Sequence, residues 1–101
     1  MARKRSHQDT HDRKVKQLAR ELKKQGYGVQ ADIEGYETPK PVGKDGHIPD
    51  IYAKKGSKEK IIEVDTPGTE DPAQLSTFRR SAAQRKNSEF QHVITKPKKQ
   101  K

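Results

Sequence analysis

The sequence predicts a small domain of the α/β or α+β class, with the element order helix, three strands, helix, strand. Three observations lead to this prediction: an amphipathic helical pattern over residues 11–25, three short apolar segments separated by turn residues over 27–65, and a second helical pattern followed by a last apolar segment. Strands joined by turns form a meander, and a helical crossover places the last strand parallel to the third. We therefore expect an αβββαβ core in which two helices flank a mixed four-stranded sheet.

The composition limits the class of protein. The chain has 101 residues, of which 27% are hydrophobic, and it contains no Trp, so we expect one domain with a small core. The absence of Cys excludes disulfides and thiolate zinc sites, which favours a cytoplasmic location. The apolar runs are too short to span a membrane, and no apolar region follows the basic N-terminus, so we expect neither a membrane partner nor a secretory signal.

The net charge of +9 is concentrated at the two ends of the chain. Residues 1–14 carry five basic and two acidic groups, residues 96–101 carry four Lys, and residues 15–95 carry 14 basic against 12 acidic groups. We expect disordered basic segments at 1–10 and 96–101 around a domain at 11–95. Basic segments attract nucleic acid through counterion release; the alternative is that they only keep a small protein in solution.

The first helical pattern runs from about His11 to Gln25, and Gly26 is placed to end it. One face carries the apolar stripe Val15, Leu18, Ala19 and Leu22, and the opposite face is rich in Lys and Arg. His7 and His11 have the i, i+4 spacing of a helical metal site, but they straddle the expected helix start and no third ligand is evident. We therefore expect this histidine pair to be solvated.

Residues 27–33 alternate as a half-buried first strand, and a 14-residue loop follows from Glu34 to His47. Loops of that length often carry binding function, although a floppy hairpin extension is an equal alternative. Lys44, within this loop, is a candidate contact for nucleic acid.

The central hairpin places acidic residues where its strands should be buried. Residues 48–53 form one strand, residues 55–58 have turn chemistry, and residues 60–65 form the return strand. Glu63 and Asp65 share one face of their strand, and folding the hairpin brings Asp50 close to Glu63 or Val64. Three carboxylates this close repel one another unless a cation lies between them. The alternative is a solvated sheet face.

A second helix is predicted to begin with Asp71 as N-cap and Pro72 at its first position. Its buried stripe is Leu75, Phe78 and Ala82, and residues 90–95 form the last strand. The exposed face of this helix is basic and is a second candidate surface for nucleic acid, formed by Arg79, Arg80, Arg85 and Lys86.

The hairpin within this element order resembles the PD-(D/E)xK nuclease superfamily, which includes many restriction enzymes, archaeal Holliday-junction resolvases and repair exonucleases. The resemblance lies in Pro49-Asp50 followed, after a twelve-residue gap, by Glu63-Val64-Asp65 on a neighbouring strand. Residues 74–78 are also similar to the QxxxY helix motif of the exonuclease branch, with Phe78 in place of Tyr.

The resemblance implies an endonuclease that cleaves DNA with Mg²⁺ or Mn²⁺. Asp50 and Glu63 would bind one or two ions, with the Val64 carbonyl as a further ligand. Asp65 would be a third carboxylate at the metal, and Gln74 would hold the attacking water or a phosphate oxygen. DNA is the expected partner, RNA is an alternative, and relatives that cut junctions and duplexes are commonly dimers.

Two departures from the family pattern favour a second interpretation. Asp65 stands where the family usually has a Lys that helps to activate water. Resolvase-like members also carry a Glu on the first helix, and here only Asp12 or Glu21 could replace it. The alternative function is thus a catalytically inactive, nuclease-like module that binds DNA or RNA. Tyr52 shares the face of Asp50 and would either stack on a base or pack under a helix.

Overall fold

A computed structural model describes residues 5–42, 46–66, 71–84 and 86–95, with side chains from residue 9 onward. The elements in chain order are α1 (Arg5–Lys24), β1 (Gly28–Ala31), β2 (Ile51–Lys55), β3 (Lys58–Asp65), α2 (Pro72–Ala83) and β4 (Ser88–Ile94). The predicted α+β class and the αβββαβ order are confirmed. Neither of the described helices combines the length and the apolar character that a membrane crossing requires.

The four strands form one sheet in the order β1-β2-β3-β4. β1 and β2 are antiparallel, as are β2 and β3, where Ile51 lies opposite Ile62. The turn between β2 and β3 is Gly56-Ser57, and the φ of +59° at Gly56 is a left-handed conformation that glycine adopts at little cost. β3 and β4 are parallel, which confirms the expected helical crossover.

The larger core lies between α1 and one face of the sheet. The apolar stripe of α1 is turned to this core, as the helical period predicts, and Gly26 follows the helix with a φ of +94°. Burying each large aliphatic side chain contributes about 1.5–3 kcal/mol, so this interface holds α1 in place. The buried members are Val15, Ala19, Leu22, Ala31, Ile51, Ala53, Ile62 and Val64.

A smaller core lies on the opposite face, under α2. The side chain of Asp71 accepts hydrogen bonds from the backbone N–H groups of Ala73 (3.1 Å) and Gln74 (3.3 Å), which confirms the predicted N-cap. Phe78 is fully buried and packs against Phe90, with 6.0 Å between the ring centroids. α2 thus covers the half of this sheet face formed by β3 and β4.

Several predicted boundaries are wrong. α1 begins at Arg5 instead of near His11, so residues 5–10, expected in a disordered arm, are helical. β2 begins at Ile51, which leaves Asp50 in a bend just before the strand. In the segment predicted as an unstructured loop at 34–47, Val42 and His47 form an antiparallel bridge. Residues 1–4 and 96–101, together with Lys44 and Arg85, lie outside the described residues, and the predictions on them stay predictions.

Candidate active site

Asp50 and Glu63 meet where β2 starts, as the hairpin pattern predicts. The backbone N–H of Asp50 donates to Glu63 Oε1 (3.2 Å), and the backbone N–H of Val64 donates to Asp50 Oδ2 (2.8 Å). Asp50 lies in a bend just before Ile51, the first residue of β2 that pairs with β3, and its carboxylate is next to the backbone of Val64 on β3. The predicted proximity of the first two acidic residues is confirmed.

Asp65 lies two residues beyond Glu63, on the same face of β3. Its carboxylate is paired with a ring of the neighbouring strand, since Oδ2 lies 2.8 Å from Nε2 of His92. The parallel register explains this contact, because His92 lies opposite Glu63 and its side chain therefore shares the face of both acidic residues. The third predicted carboxylate is thus adjacent to the pair but already held by an imidazole.

His11 joins the group from α1. The ring is only 5% exposed and lies between two carboxylates, with Nε2 3.1 Å from Asp50 Oδ2 and Nδ1 2.9 Å from Asp12 Oδ1. The ring is hydrogen-bonded to Asp12 through Nδ1, whereas its approach to Asp50 through Nε2 is a close polar contact. The prediction that His11 is solvated is wrong.

The acidic residues are buried, which contradicts the alternative of a solvated sheet face. Asp50, Glu63 and Asp65 are only 9%, 7% and 3% exposed. Burying charged carboxylates is unfavourable unless they are hydrogen-bonded, paired or bound to a cation. The chain tolerates this cost through the contacts to Val64, His11 and His92.

The site alters the titration of Glu63. Burial and, after it, the neighbouring charges of Asp50 and Asp65 together raise the pKa of Glu63 from 4.5 to about 9. Glu63 is consequently protonated at neutral pH while no cation is bound. A divalent cation would replace that proton, because positive charge between carboxylates removes the repulsion.

The donor set fits a hard cation at two carboxylates. Mg²⁺ is commonly held by one or two carboxylates together with water and substrate phosphates, and the oxygens of Asp50 and Glu63 supply that number. Over the described part of the chain, no group of three His, Cys, Asp or Glu side chains is arranged to hold a metal ion. The predicted set of three carboxylates is therefore not a ready-made metal cage, and a role of Asp65 as third ligand stays a prediction.

The other predicted site residues that the structure describes lie on α2 and in the turn that follows it. Gln74 is half-buried in the first turn of α2, and Arg79 and Arg80 are exposed on the same helix. The guanidinium of Arg79 lies 5.7 Å from the centre of the Phe90 ring. Lys86 is exposed in the turn before β4, so α2 and this turn together present exposed basic side chains.

Neither Asp12 nor Glu21 takes the position expected for the Glu that resolvase-like nucleases carry on their first helix. Glu21 is exposed on the outer side of α1, so it does not approach the sheet. Asp12 is half-buried and is linked to Asp50 through the ring of His11. From α1, a histidine approaches Asp50 where the family resemblance led us to expect a carboxylate.

Sequence reasoning missed both histidines, although a signal for His11 was present. His11 lies four residues before Val15, so it continues the buried stripe by one turn. His92 has no comparable local signal, because its contact with Asp65 depends on the register between β3 and β4.

Comparison with protein-family models and with curated proteins gives no match to this chain. The functional interpretation therefore depends on the residues and their geometry.

Proposed function

We propose that this protein is a Mg²⁺-dependent endonuclease that cleaves phosphodiester bonds in DNA and is related to the PD-(D/E)xK nucleases. The observation that carries the proposal is the contact between two buried acidic residues, Asp50 just before β2 and Glu63 on β3. Buried carboxyl groups that repel each other are costly for stability, and sites of this kind are often functional.

Asp50, Glu63 and the backbone carbonyl of Val64 would hold the ion. The N–H and C=O groups of a residue in a strand point to the same side, and the N–H of Val64 donates to Asp50, so its carbonyl points to the side of β3 on which Asp50 lies. When bound, Mg²⁺ would polarise the scissile phosphate and lower the pKa of a coordinated water.

The surrounding side chains position these groups. His11 and the N–H of Val64 orient the carboxylate of Asp50, and His92 does the same for Asp65. Gln74 is proposed to bind the attacking water or a phosphate oxygen from the first turn of α2. Arg79, Arg80 and Lys86 would contact the phosphate backbone away from the reaction.

A second candidate function is a nuclease-like module that binds DNA or RNA without cleaving it. Two observations favour it: Asp65 replaces the Lys of the family motif and is paired with His92, and no three-residue metal group exists over the described residues. In this case the basic surface of α2 and the chain ends would bind phosphates, and the buried carboxyl groups would have no catalytic task.

The experiment is a cleavage assay with branched, single-stranded and duplex DNA, and with RNA, in Mg²⁺ or Mn²⁺. We expect metal-dependent strand cleavage that falls by at least about 100-fold in Asp50→Asn, which keeps an acceptor for the Val64 N–H but removes the charge. Glu34→Gln is the matched control, because Glu34 is exposed and loses the same charge. Binding without cleavage in both metals would refute the enzyme and leave the binding module.

The binding module has a test of its own. The double substitution Arg79→Gln and Arg80→Gln should make the negative slope of log affinity against log salt shallower by about 2, since each lost phosphate contact removes about 0.9 from its magnitude. A slope equal to that of the wild-type protein would exclude this face of α2 as a phosphate-binding surface.

A further inference from the structure

The face of the sheet that carries α2 is only half covered by that helix. α2 packs on β4 and β3, whereas the part of the same face over β1 and β2 is bordered by the 34–47 loop. Between this loop and the strands lies an open cavity of about 440 Å³, a volume within the usual range of small-ligand sites.

The floor of the cavity is a row of side chains across three strands. The register places Gln30 of β1 opposite Tyr52 of β2, and Tyr52 opposite Ile61 of β3. Tyr52 is half-buried, and its hydroxyl donates to Glu59, which fixes the position of the ring. The floor therefore combines an aromatic ring, an aliphatic side chain and a side-chain amide.

The loop supplies the opposite wall. Pro41 and Val42 line the cavity from above, and Val42 is held by two backbone hydrogen bonds with His47, of 2.7 and 3.1 Å. Val42 is also buried against Ile61 and Phe78, so this wall is tied to the smaller core. The apolar part of the cavity is consequently pre-formed.

The rim of the cavity is positively charged. Lys40 from the loop and Lys54 from β2 both line it, and both side chains are exposed. Lys54 lies two residues beyond Tyr52 on the same face of β2. An apolar and aromatic floor with two ammonium groups at its edge is complementary to a flat ring that carries a phosphate.

We propose that this cavity binds one unpaired nucleotide of a nucleic-acid strand, with its base against Tyr52 and a phosphate at Lys40 and Lys54. The cavity adjoins the candidate active site, because Tyr52 and Ile61 each lie two residues, about 7 Å along a strand, from Asp50 and Glu63. A strand leaving the cavity would therefore reach the carboxyl groups. This last step rests on the proposed function, and the binding of the nucleotide does not.

The proposal predicts a preference for single strands. A base paired within a duplex does not present its face to an aromatic side chain, whereas an unpaired base stacks on one. The base-specific part of the affinity should accordingly depend on Tyr52, and the phosphate part on the two lysines.

The test is fluorescence anisotropy of labelled oligothymidine and of a duplex of equal length, in EDTA so that no cleavage occurs. We expect Tyr52→Leu to weaken single-strand binding by about tenfold and to change duplex binding by less than about twofold. Tyr52→Phe keeps the ring and should retain the affinity. Lys54→Gln should weaken binding of the single strand, while Lys58→Gln, a matched exposed control in the hairpin, should not.

Equal losses for single strand and duplex, or unchanged binding by Tyr52→Leu, would overturn the proposal. Thermal unfolding of each variant shows whether it folds. If Tyr52→Leu does not fold, the test uses Tyr52→Phe, which should retain the affinity for the single strand, and Lys54→Gln, which should weaken it. If free thymidine monophosphate competes with the same molar affinity as the oligonucleotide, the cavity is a site for free nucleotides. That result would overturn the proposal that it binds a nucleotide of a nucleic-acid strand. If binding depends on Tyr52 but no cleavage occurs in Mg²⁺, only the proposed nuclease function is refuted. If cleavage occurs and does not depend on Tyr52, only the proposed nucleotide binding in the cavity is refuted.

Discussion

Replacing Glu63 by glutamine should stabilise the metal-free protein, and the gain should grow as the pH rises. The side chain of Glu63 is 7% exposed, and its pKa is raised from 4.5 to about 9 by burial first and then by the charges of Asp50 and Asp65. Glutamine has nearly the same shape, still accepts from the N–H of Asp50, and carries no proton that the folded state must retain. The substitution thus removes the electrostatic cost and leaves the packing.

The sign follows from proton linkage. Above pH 4.5 the unfolded chain loses the Glu63 proton, whereas the folded chain keeps it until about pH 9. The contribution of this proton to the free energy of unfolding of the wild-type protein is fully present below pH 4.5. It is lost as the pH rises toward 9, by about 1.4 kcal/mol per pH unit. Glu63→Gln lacks this loss, so the stability difference between the two proteins should widen by about 2–3 kcal/mol from pH 5 to pH 7.

Urea unfolding followed by circular dichroism, in EDTA, measures this difference at each pH. Titrating groups common to both proteins cancel in the comparison, which makes the change between the two pH values more informative than either value alone. Glu34→Gln is the control, because Glu34 is exposed and its stability profile should run parallel to that of the wild-type protein. Parallel profiles for Glu63→Gln as well would refute the inference that Glu63 is protonated in the folded state.

Three further predictions concern metal, core and cap. Mg²⁺ must displace the Glu63 proton, so its affinity, measured by calorimetry, should rise by up to about tenfold per pH unit between pH 6 and 8; a pH-independent affinity would place the ion elsewhere. Phe78→Ala should lower the free energy of unfolding by about 3–5 kcal/mol, because Phe78 is fully buried; a loss below about 1 kcal/mol in urea titration would contradict this core. Asp71→Ala should cost about 1 kcal/mol by the same assay, and Asp71→Asn, which still caps, should cost less; equal losses would exclude a capping role.

Much of the candidate site was predictable because it depends on a hairpin. Antiparallel strands joined by a short turn bring residues at matching distances from the turn together, so Asp50 and Glu63 had to be neighbours once the turn was placed at Gly56-Ser57. The alternation of side chains along β3 in the same way put Glu63 and Asp65 on one face. The burial of these residues was not predictable in this way, because side-chain alternation does not distinguish a solvated sheet face from a covered one.

The histidines show where local patterns end. The helical pattern predicts a start near His11, but α1 begins at Arg5, so His11 lies inside the helix and on its buried stripe. The contact of His92 with Asp65 needed the register of two parallel strands that are separated by a helix. No short-range rule specifies that register.

The sequence alone determined four features: the order of the elements, the N-cap of α2, the apolar stripe of α1 and the proximity of Asp50 to Glu63. Each of them depends on periodicity or on turn chemistry between residues close along the chain. Packing between distant segments decided the rest: the entry of His11, the pairing of Asp65, the burial that raises the pKa of Glu63, and the uncovered half of the sheet beside Tyr52. These features arise only when helices and strands far apart in the chain exclude water from the same space. Local residue patterns do not predict which distant segments will do so.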